Sequence, residues 1–353
     1  MHHTCPPEHV VKRPVCFLEH LAPKTLGNEI LMKTIRWGLI GCGDVSRKRV
    51  ARAIIDSPGN ELVAACRRDP IRLQEFCDTL SVPRGYSDAR ELMNDADVDA
   101  VYIATPVQEH LPQTQMAAAA GKHVIVEKPM AMNVAECDAM IDVCVKANVK
   151  LGVAYYRRFY PIVDRIEKLL KSKAIGTPLA VSAVTATPLA MKSGDEGYWR
   201  TSLANSGGGA LMDVGSHRIN VFLHLFGPVA EVKSICATVA ADYEVEDTAT
   251  VLFRFQQGPI GTLQCHFGAD DPDEFTVIGT RGRLRACPLN GDKLIVEIDG
   301  QETIETLPPA ANFCEPLIVD FADAIRNNRR PRVDGNEGRE TNVVMANAYA
   351  DSQ

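Results

Sequence analysis

The chain has 353 residues and a formal net charge of −7, from 45 Asp and Glu against 38 Lys and Arg. That balance gives no general attraction to nucleic acid or an anionic membrane surface, and no stretch approaches the roughly 18 consecutive apolar residues of a membrane helix, so neither partner is expected. The length predicts two domains, at about 100 to 200 residues each, and the odd, scattered set of 11 cysteines, with no CxxC pair, reads as small hydrophobes in a reducing compartment rather than a disulfide framework or zinc site.

Residues 1–31 mix prolines and charges, lack the apolar core of a secretory signal, and are too acidic for a transit peptide. Met32 then directly precedes KTIRWGLIGCG. Either Met32 is the natural start, or residues 1–31 are a loosely attached, poorly ordered extension; the chain is taken as cytoplasmic.

From Ile35 to Ser46 the sequence reads IRWGLIGCGDVS. Trp37 to Ile40 has the length and composition of a buried strand, and Gly41 and Gly43 stand where a chain leaving a strand turns into a helix. Such a turn offers backbone N–H groups to a phosphate, so Gly41, Cys42, Gly43, Asp44 and Val45 are expected to hold a dinucleotide. Position 46 is Ser where the dinucleotide fingerprint has Gly or Ala, and the same residues also fit an ordinary strand-to-helix turn.

A helix is predicted over 47–55, a strand over 61–66, helices over 70–80 and 89–94, and a strand over 98–104 that ends in Thr105 and Pro106. A helix over 111–120 follows, then a strand over 124–126 running into Glu127, Lys128 and Pro129, a helix over 134–147 and a strand over 150–154. This alternation predicts an α/β, doubly wound parallel sheet of the Rossmann type over 32–154, with the strand ends at Gly41, Arg67, Thr105 and Lys128 lining a ligand crevice. A carboxylate about 20 residues past the glycines normally holds the ribose 2′-hydroxyl of NAD, whereas Arg can accommodate the 2′-phosphate of NADP. Glu61 stands at the wrong end of its strand and Asp69 lies beyond Arg67 and Arg68, so NADP is the preferred coenzyme, with NAD possible. The alternative is that both arginines are solvated surface residues.

Beyond Tyr155 the rhythm changes. YRRF and Pro161 introduce a helix over 162–170, and a strand over 179–186 leads into an irregular segment, 187–209, that ends in SGGG. A helix from Asp213 or Ser216 to Phe226 is closed by Gly227 and Pro228. Strands over 229–239, 248–255, 261–266, 274–279, 282–286 and 293–298 follow without intervening helices, then helices over 316–327 and about 338–349. Residues 155–353 are therefore predicted to be an α+β domain with a large, mostly antiparallel open sheet.

The order and spacing of GLIGCGDVS, ATP at 104–106 with His110 following, EKP at 127–129, RRF at 157–159 and WRTSLANSGGGALMDVGSH at 199–217 resemble the Gfo/Idh/MocA family of sugar and polyol oxidoreductases. EDTATVLFRF, GPIGTL and VIGTRG extend the resemblance through the later sheet, so it covers residues 35 to about 350. It implies a nicotinamide coenzyme across the first domain, contacted also by Thr105, Pro106, His110, Glu127, Lys128 and Arg200. It further implies a sugar-like alcohol or ketone on the second domain, and a homodimer or homotetramer through the later sheet.

The residue types suit that chemistry. His217 is the candidate acid/base, because His titrates near neutrality. Asp213, four residues earlier, can orient the imidazole or bind a substrate hydroxyl, although it also suits a helix N-cap. Lys128 can stabilise charge on the substrate oxygen. Tyr155, Tyr156 and Arg158 are expected to contact substrate. No metal is expected: His217, His224 and Asp213 lack a further nitrogen or sulfur ligand, and hydride transfer needs none. Val107, Asn220 and Tyr160 depart from the family pattern, so substrate contacts cannot be copied from one member. The resemblance leaves two other readings, a sugar–sugar transhydrogenase holding its NADP tightly and a non-catalytic sugar sensor of the same fold.

Overall fold

Short apolar runs between glycine and proline breaks become the strands of a parallel sheet in this computed structural model, which describes residues 33–188, 192, 194, 195, 197–270 and 273–353. The expectation for residues 1–31 lies outside these residues. The strands are β1 (Ile35–Ile40), β2 (Asn60–Cys66), β3 (Arg84–Tyr86), β4 (Ala100–Ile103), β5 (His123–Val126) and β6 (Leu151–Val153), in the spatial order β3-β2-β1-β4-β5-β6. Central strands β1, β4 and β5 are buried on both faces, which is why they read as continuous apolar runs rather than alternating ones. Helices α1 (Ala51–Asp56), α2 (Pro70–Leu80), α3 (Ala89–Met93), α4 (His110–Ala119) and α5 (Val134–Lys146) alternate with them. The sequence pattern yielded five strands here and missed β3: three residues, RGY, paired only to β2 at the sheet edge, carry no apolar run.

Asp69, the nearest carboxylate past β2, is the N-cap of α2 and accepts from the Ile71 and Arg72 amides at 3.1 and 3.2 Å. The end of β2 is thereby left to Arg67.

The second half contains α6 (Pro161–Lys171), β7 (Pro178–Thr187), α7 (Leu203–Ser206), α8 (Ser216–Phe226), and strands β8 (Val229–Ala237), β9 (Thr248–Phe255), β10 (Ile260–Phe267), β11 (Glu274–Gly279), β12 (Gly282–Ala286), β13 (Lys293–Ile298) and β14 (Gln301–Thr306). The sheet order is β14-β13-β12-β11-β7-β10-β9-β8, with β7 parallel to β10 and every other pair antiparallel. Strand β14, QETIET, was not anticipated because it is polar and exposed along the sheet edge. The alternating burial of β9 and β10 turns Val251, Phe253, Leu263 and Cys265 inward, where Phe222 of α8 meets Phe253 edge-on. Finally α9 (Glu315–Arg326) runs back against α1, and α10 (Gly335–Asp351) packs on α5, α8, β6 and β8.

Candidate active site

The C-terminal ends of β1, β4 and β5 open onto a crevice whose far wall is the start of α8. Its coenzyme end begins at the glycine turn. Gly41 has φ +90°, and a Cβ there would stand 2.5 Å from the Ala104 carbonyl, so only glycine fits this approach of β1 to β4. Ser46, the departure from the fingerprint, is buried, and its hydroxyl donates to the Gly41 carbonyl at 2.5 Å; it thus ties the helix start to the turn. Gly43 and Asp44 line two adjoining spaces. One runs past Thr105 and Pro106 to Lys128 and His217; the other holds Cys42, Arg67 and Arg72. That continuous path, with a glycine cradle at its centre, fits an extended dinucleotide.

Arg67 projects from the end of β2 and donates to the Cys42 carbonyl at 2.5 Å. Arg68 is exposed and lines neither space. His110 is fully buried behind the wall rather than in it, with its ring nitrogens 3.0 Å from the Thr105 carbonyl and 3.1 Å from that of Pro129. It joins the two loops, and burial pulls its pKa down to about 4.

At the other end, Lys128 Nζ pairs with the Asp213 carboxylate and donates to the Asp213 carbonyl at 2.9 Å, while Arg200 Nε lies 3.5 Å from the same carboxylate. Burial opposes ionisation of Asp213, but the Lys128 and Arg200 charges outweigh it and hold the carboxyl below its usual range. Glu127 accepts from the Tyr102 hydroxyl at 2.7 Å and from the Lys128 amide at 3.0 Å; burial raises its pKa despite the adjacent Lys128.

His217 lies in the first turn of α8, 3% exposed, with Tyr155 at 5.8 Å edge-on and Tyr156 at 5.0 Å between ring centroids. Burial first, then the positive charges of Lys128, Arg157, Arg218 and Arg49, hold its pKa well below 6.5, so the imidazole is neutral at pH 7. Its Nδ1 has no partner among the described residues. The expectation that Asp213 orients this ring is therefore corrected: the carboxylate is committed to Lys128 and Arg200, because an ammonium attracts it more strongly than a neutral imidazole does.

The triple glycine has a steric cause. Glu246 accepts from the Gly209 and Leu211 amides at 2.8 and 3.0 Å, and a Cβ on Gly209 would sit 1.9 Å from the Glu246 carbonyl. This close approach sets the start of the turn that carries Asp213.

Of the expected substrate contacts, Tyr156 lines the crevice, while Tyr155 sits behind it against His217. Arg158 points away, donating to Glu337 at 2.5 Å and lying 2.9 Å from His224 Nδ1. His224 is thus held by Arg158, not gathered with His217. Val107 lines the crevice, Asn220 donates to Thr341 at 3.0 Å, and Tyr160 packs on Phe313 at 5.3 Å. Two residues were overlooked. Arg157 lines the crevice and pairs with Asp273 at 3.0 Å, and Arg218, with no exposure, pairs with the same carboxylate. The available signal was an arginine next to each expected site residue, Tyr156 and His217.

Comparison with known proteins supports the family and the fold. Residues 35–155 match the GFO_IDH_MocA oxidoreductase family, NAD-binding Rossmann fold, and residues 163–285 match the GFO/IDH/MocA C-terminal domain. The chain is 33% identical over 255 residues to Oxidoreductase P35 of Formosa agariphila, covering 71% of this chain and 78% of the relative. It is 29% identical over 307 residues to D-xylose 1-dehydrogenase (NADP(+)) 2 of Haloferax volcanii, covering 85% and 92%. Among solved structures it resembles the aldose-aldose oxidoreductase from Caulobacter crescentus complexed with glycerol, with a TM-score of 0.84 and 27% identity over 91% of this chain and 98% of that one.

Proposed function

The chain belongs to the Gfo/Idh/MocA oxidoreductase family, and from that premise we propose that it moves a hydride between a nicotinamide coenzyme and a sugar, polyol or related small carbohydrate, with His217 transferring the proton and Lys128 activating the substrate oxygen. The observation that carries this reading is one crevice in which the glycine turn, the Lys128–Asp213 pair and a neutral His217 face the same space.

When bound, the nicotinamide supplies the hydride acceptor or donor. In the oxidising direction the neutral His217 imidazole accepts the proton of the substrate hydroxyl. Lys128 donates a hydrogen bond to that oxygen as negative charge develops on it, and Asp213 with Arg200 fixes the ammonium in place. The buried Tyr155 and Tyr156 rings hold the imidazole plane.

We assign Gly41, Gly43, Asp44, Val45, Thr105 and Pro106 to the coenzyme, and residues 32–154 and 155–353 to coenzyme and substrate domains. The 2′-phosphate of NADP falls to Arg67, supported by the capping role of Asp69 and by the NADP-dependent xylose dehydrogenase among the relatives. Leu252, Ile260, Ile278 and Ile304, exposed on the second sheet, support a homo-oligomer through it. The buried free thiols Cys42, Cys66, Cys137 and Cys265 support a reducing, cytoplasmic location. A coenzyme-reduction screen across neutral sugars, polyols, sugar acids and sugar phosphates tests the reading. Turnover of at least one is expected, and a chain that binds coenzyme but turns over none refutes it.

A further inference from the structure

The crevice wall beside His217 contains more positive charge than its own carboxylates neutralise. Arg157 and Arg218 share a single counter-ion, Asp273: Arg157 Nη1 donates to Oδ2 at 3.0 Å, and Arg218 Nε donates to Oδ1 at 2.9 Å while its Nη2 approaches Oδ2. Arg218 has no solvent exposure, and Arg157 is 16% exposed, so neither charge is dissipated in water. Arg157 Nε and Arg218 Nη1 are buried with no partner among the described residues, as expected when one carboxylate serves two guanidinium groups. Burial, then the neighbouring Arg157 charge, lowers the Arg218 pKa only to about 10, so it remains charged at neutral pH.

The rest of the lining does not restore balance. Asp213 already answers Lys128 and Arg200, with Glu127 beside the same two cations, and Asp44 is engaged with Arg47 and Lys48 at the glycine turn. Glu127, whose pKa is raised by burial, faces Tyr102 and its own chain's Lys128 amide. The coenzyme's phosphates meet the opposite end, at the glycine turn. Arg157 lies on the substrate side: its guanidinium carbon is 6.0 Å from the centroid of Tyr156, which stacks edge-on against His217.

We propose that the substrate carries an anionic oxygen group, and that Arg157, backed by Arg218 and Asp273, binds it while the hydroxyl to be oxidised lies between His217 and Lys128. The substrate class is thereby narrowed from a carbohydrate to an acidic one. A guanidinium recognises carboxylate and phosphate alike, so sugar acids and sugar phosphates are the two sources of this chemistry. This inference rests on the oxidoreductase reading of the same site.

The test compares kcat/KM of the full-length protein for matched substrates: a neutral sugar or polyol, the corresponding uronate or aldonate, and its phosphate ester. One anionic class is expected to exceed its neutral counterpart by about tenfold or more, the worth of a charged hydrogen bond, and which class does so identifies the group. In Arg157→Gln the ratio of acidic to neutral kcat/KM should collapse through KM for the acid, and Arg157→Lys should restore part of it. If Arg157→Gln does not fold, the wild-type ratio alone decides. Neutral substrates matching or exceeding both anionic classes overturn the inference while leaving the dehydrogenase reading standing. An unchanged ratio in a folded Arg157→Gln overturns it as well. No turnover of any class with coenzyme bound overturns both.

Discussion

The two ends of the crevice are built by opposite means. At the proposed coenzyme end a glycine turn is flanked by side chains in contact with water: Asp44 is 51% exposed and its partners Arg47 and Lys48 are more so. At the substrate end the charges are nearly dry, with Lys128 14% and Arg157 16% exposed, and the neutral His217 beside them is 3% exposed. Exposed pairs contribute about 0–1 kcal/mol, whereas breaking a buried pair costs about 3–5 kcal/mol. The glycine turn thus carries few buried charges, and the sensitive electrostatics are confined to the end where we propose that a proton moves.

Removing His217, the proposed proton-transfer group, should separate the two ends most sharply. His217→Ala is expected to lower kcat by about 10²- to 10⁴-fold while coenzyme affinity, followed by fluorescence titration, stays within a few-fold. Lys128→Met should do the same and also lose stability, because Asp213 keeps only Arg200 as a partner. A His217→Ala enzyme with wild-type turnover would remove this residue from the mechanism.

The second effect is acid sensitivity. His110 and His224 are held at about 4 by burial, and His217 is held well below 6.5 by burial and its cationic neighbours. The unfolded chain binds these protons at about pH 6.5, so the stabilisation is complete above that value and is lost as pH falls towards 4. Each of the first two rings accounts for about 3 kcal/mol by pH 4. Glu127, raised by burial, acts in the opposite sense. Urea midpoints measured between pH 7.5 and pH 4.5, roughly the window these shifts define, should fall steadily below 6.5, and less steeply in His224→Gln. A flat profile would show that the rings are not buried as neutral groups. For the same reason the acidic limb of the rate profile should lie below 6.5.

A smaller change tests the coenzyme end. Arg67→Ser should lower the preference for NADP over NAD by about tenfold, the worth of one charged contact to phosphate. Direct titration with each coenzyme reads it, and equal affinities in the wild type would return Arg67 to the role of a turn brace for Cys42.

How much of this was legible in the sequence follows the same division. The glycine turn and each strand-end residue lie within a few positions of the apolar run that forms their own strand, so each signal is local, and the fold class and crevice could be read directly. The partner of Asp213 could not. Its sequence neighbour His217 suggested a pair, but Lys128, brought across from the end of β5, takes the carboxylate, and no helical periodicity encodes that meeting. Arg158 and His110 were misplaced for a related reason: contiguity with a motif does not say which side of the chain faces the crevice, and both are turned into the interior to bridge loops and helices. Arg157 was hidden because its counter-ion, Asp273, belongs to the segment before β11.

The smallest effect probes the one departure at the glycine turn. Ser46 replaces the small residue that lets a helix sit against β1, yet it is buried without a clash because its hydroxyl is absorbed by the Gly41 carbonyl. Ser46→Ala keeps the volume and removes only that bond, so the loss should be about 1 kcal/mol, seen as a fall in Tm of about 2 °C. Coenzyme affinity should hardly change, since this hydroxyl is already spent on the Gly41 carbonyl and the phosphate contacts we propose are backbone amides. If affinity instead dropped by an order of magnitude, the Ser46–Gly41 bond would be setting the aim of the turn, and the coenzyme end would share the sensitivity of the substrate end.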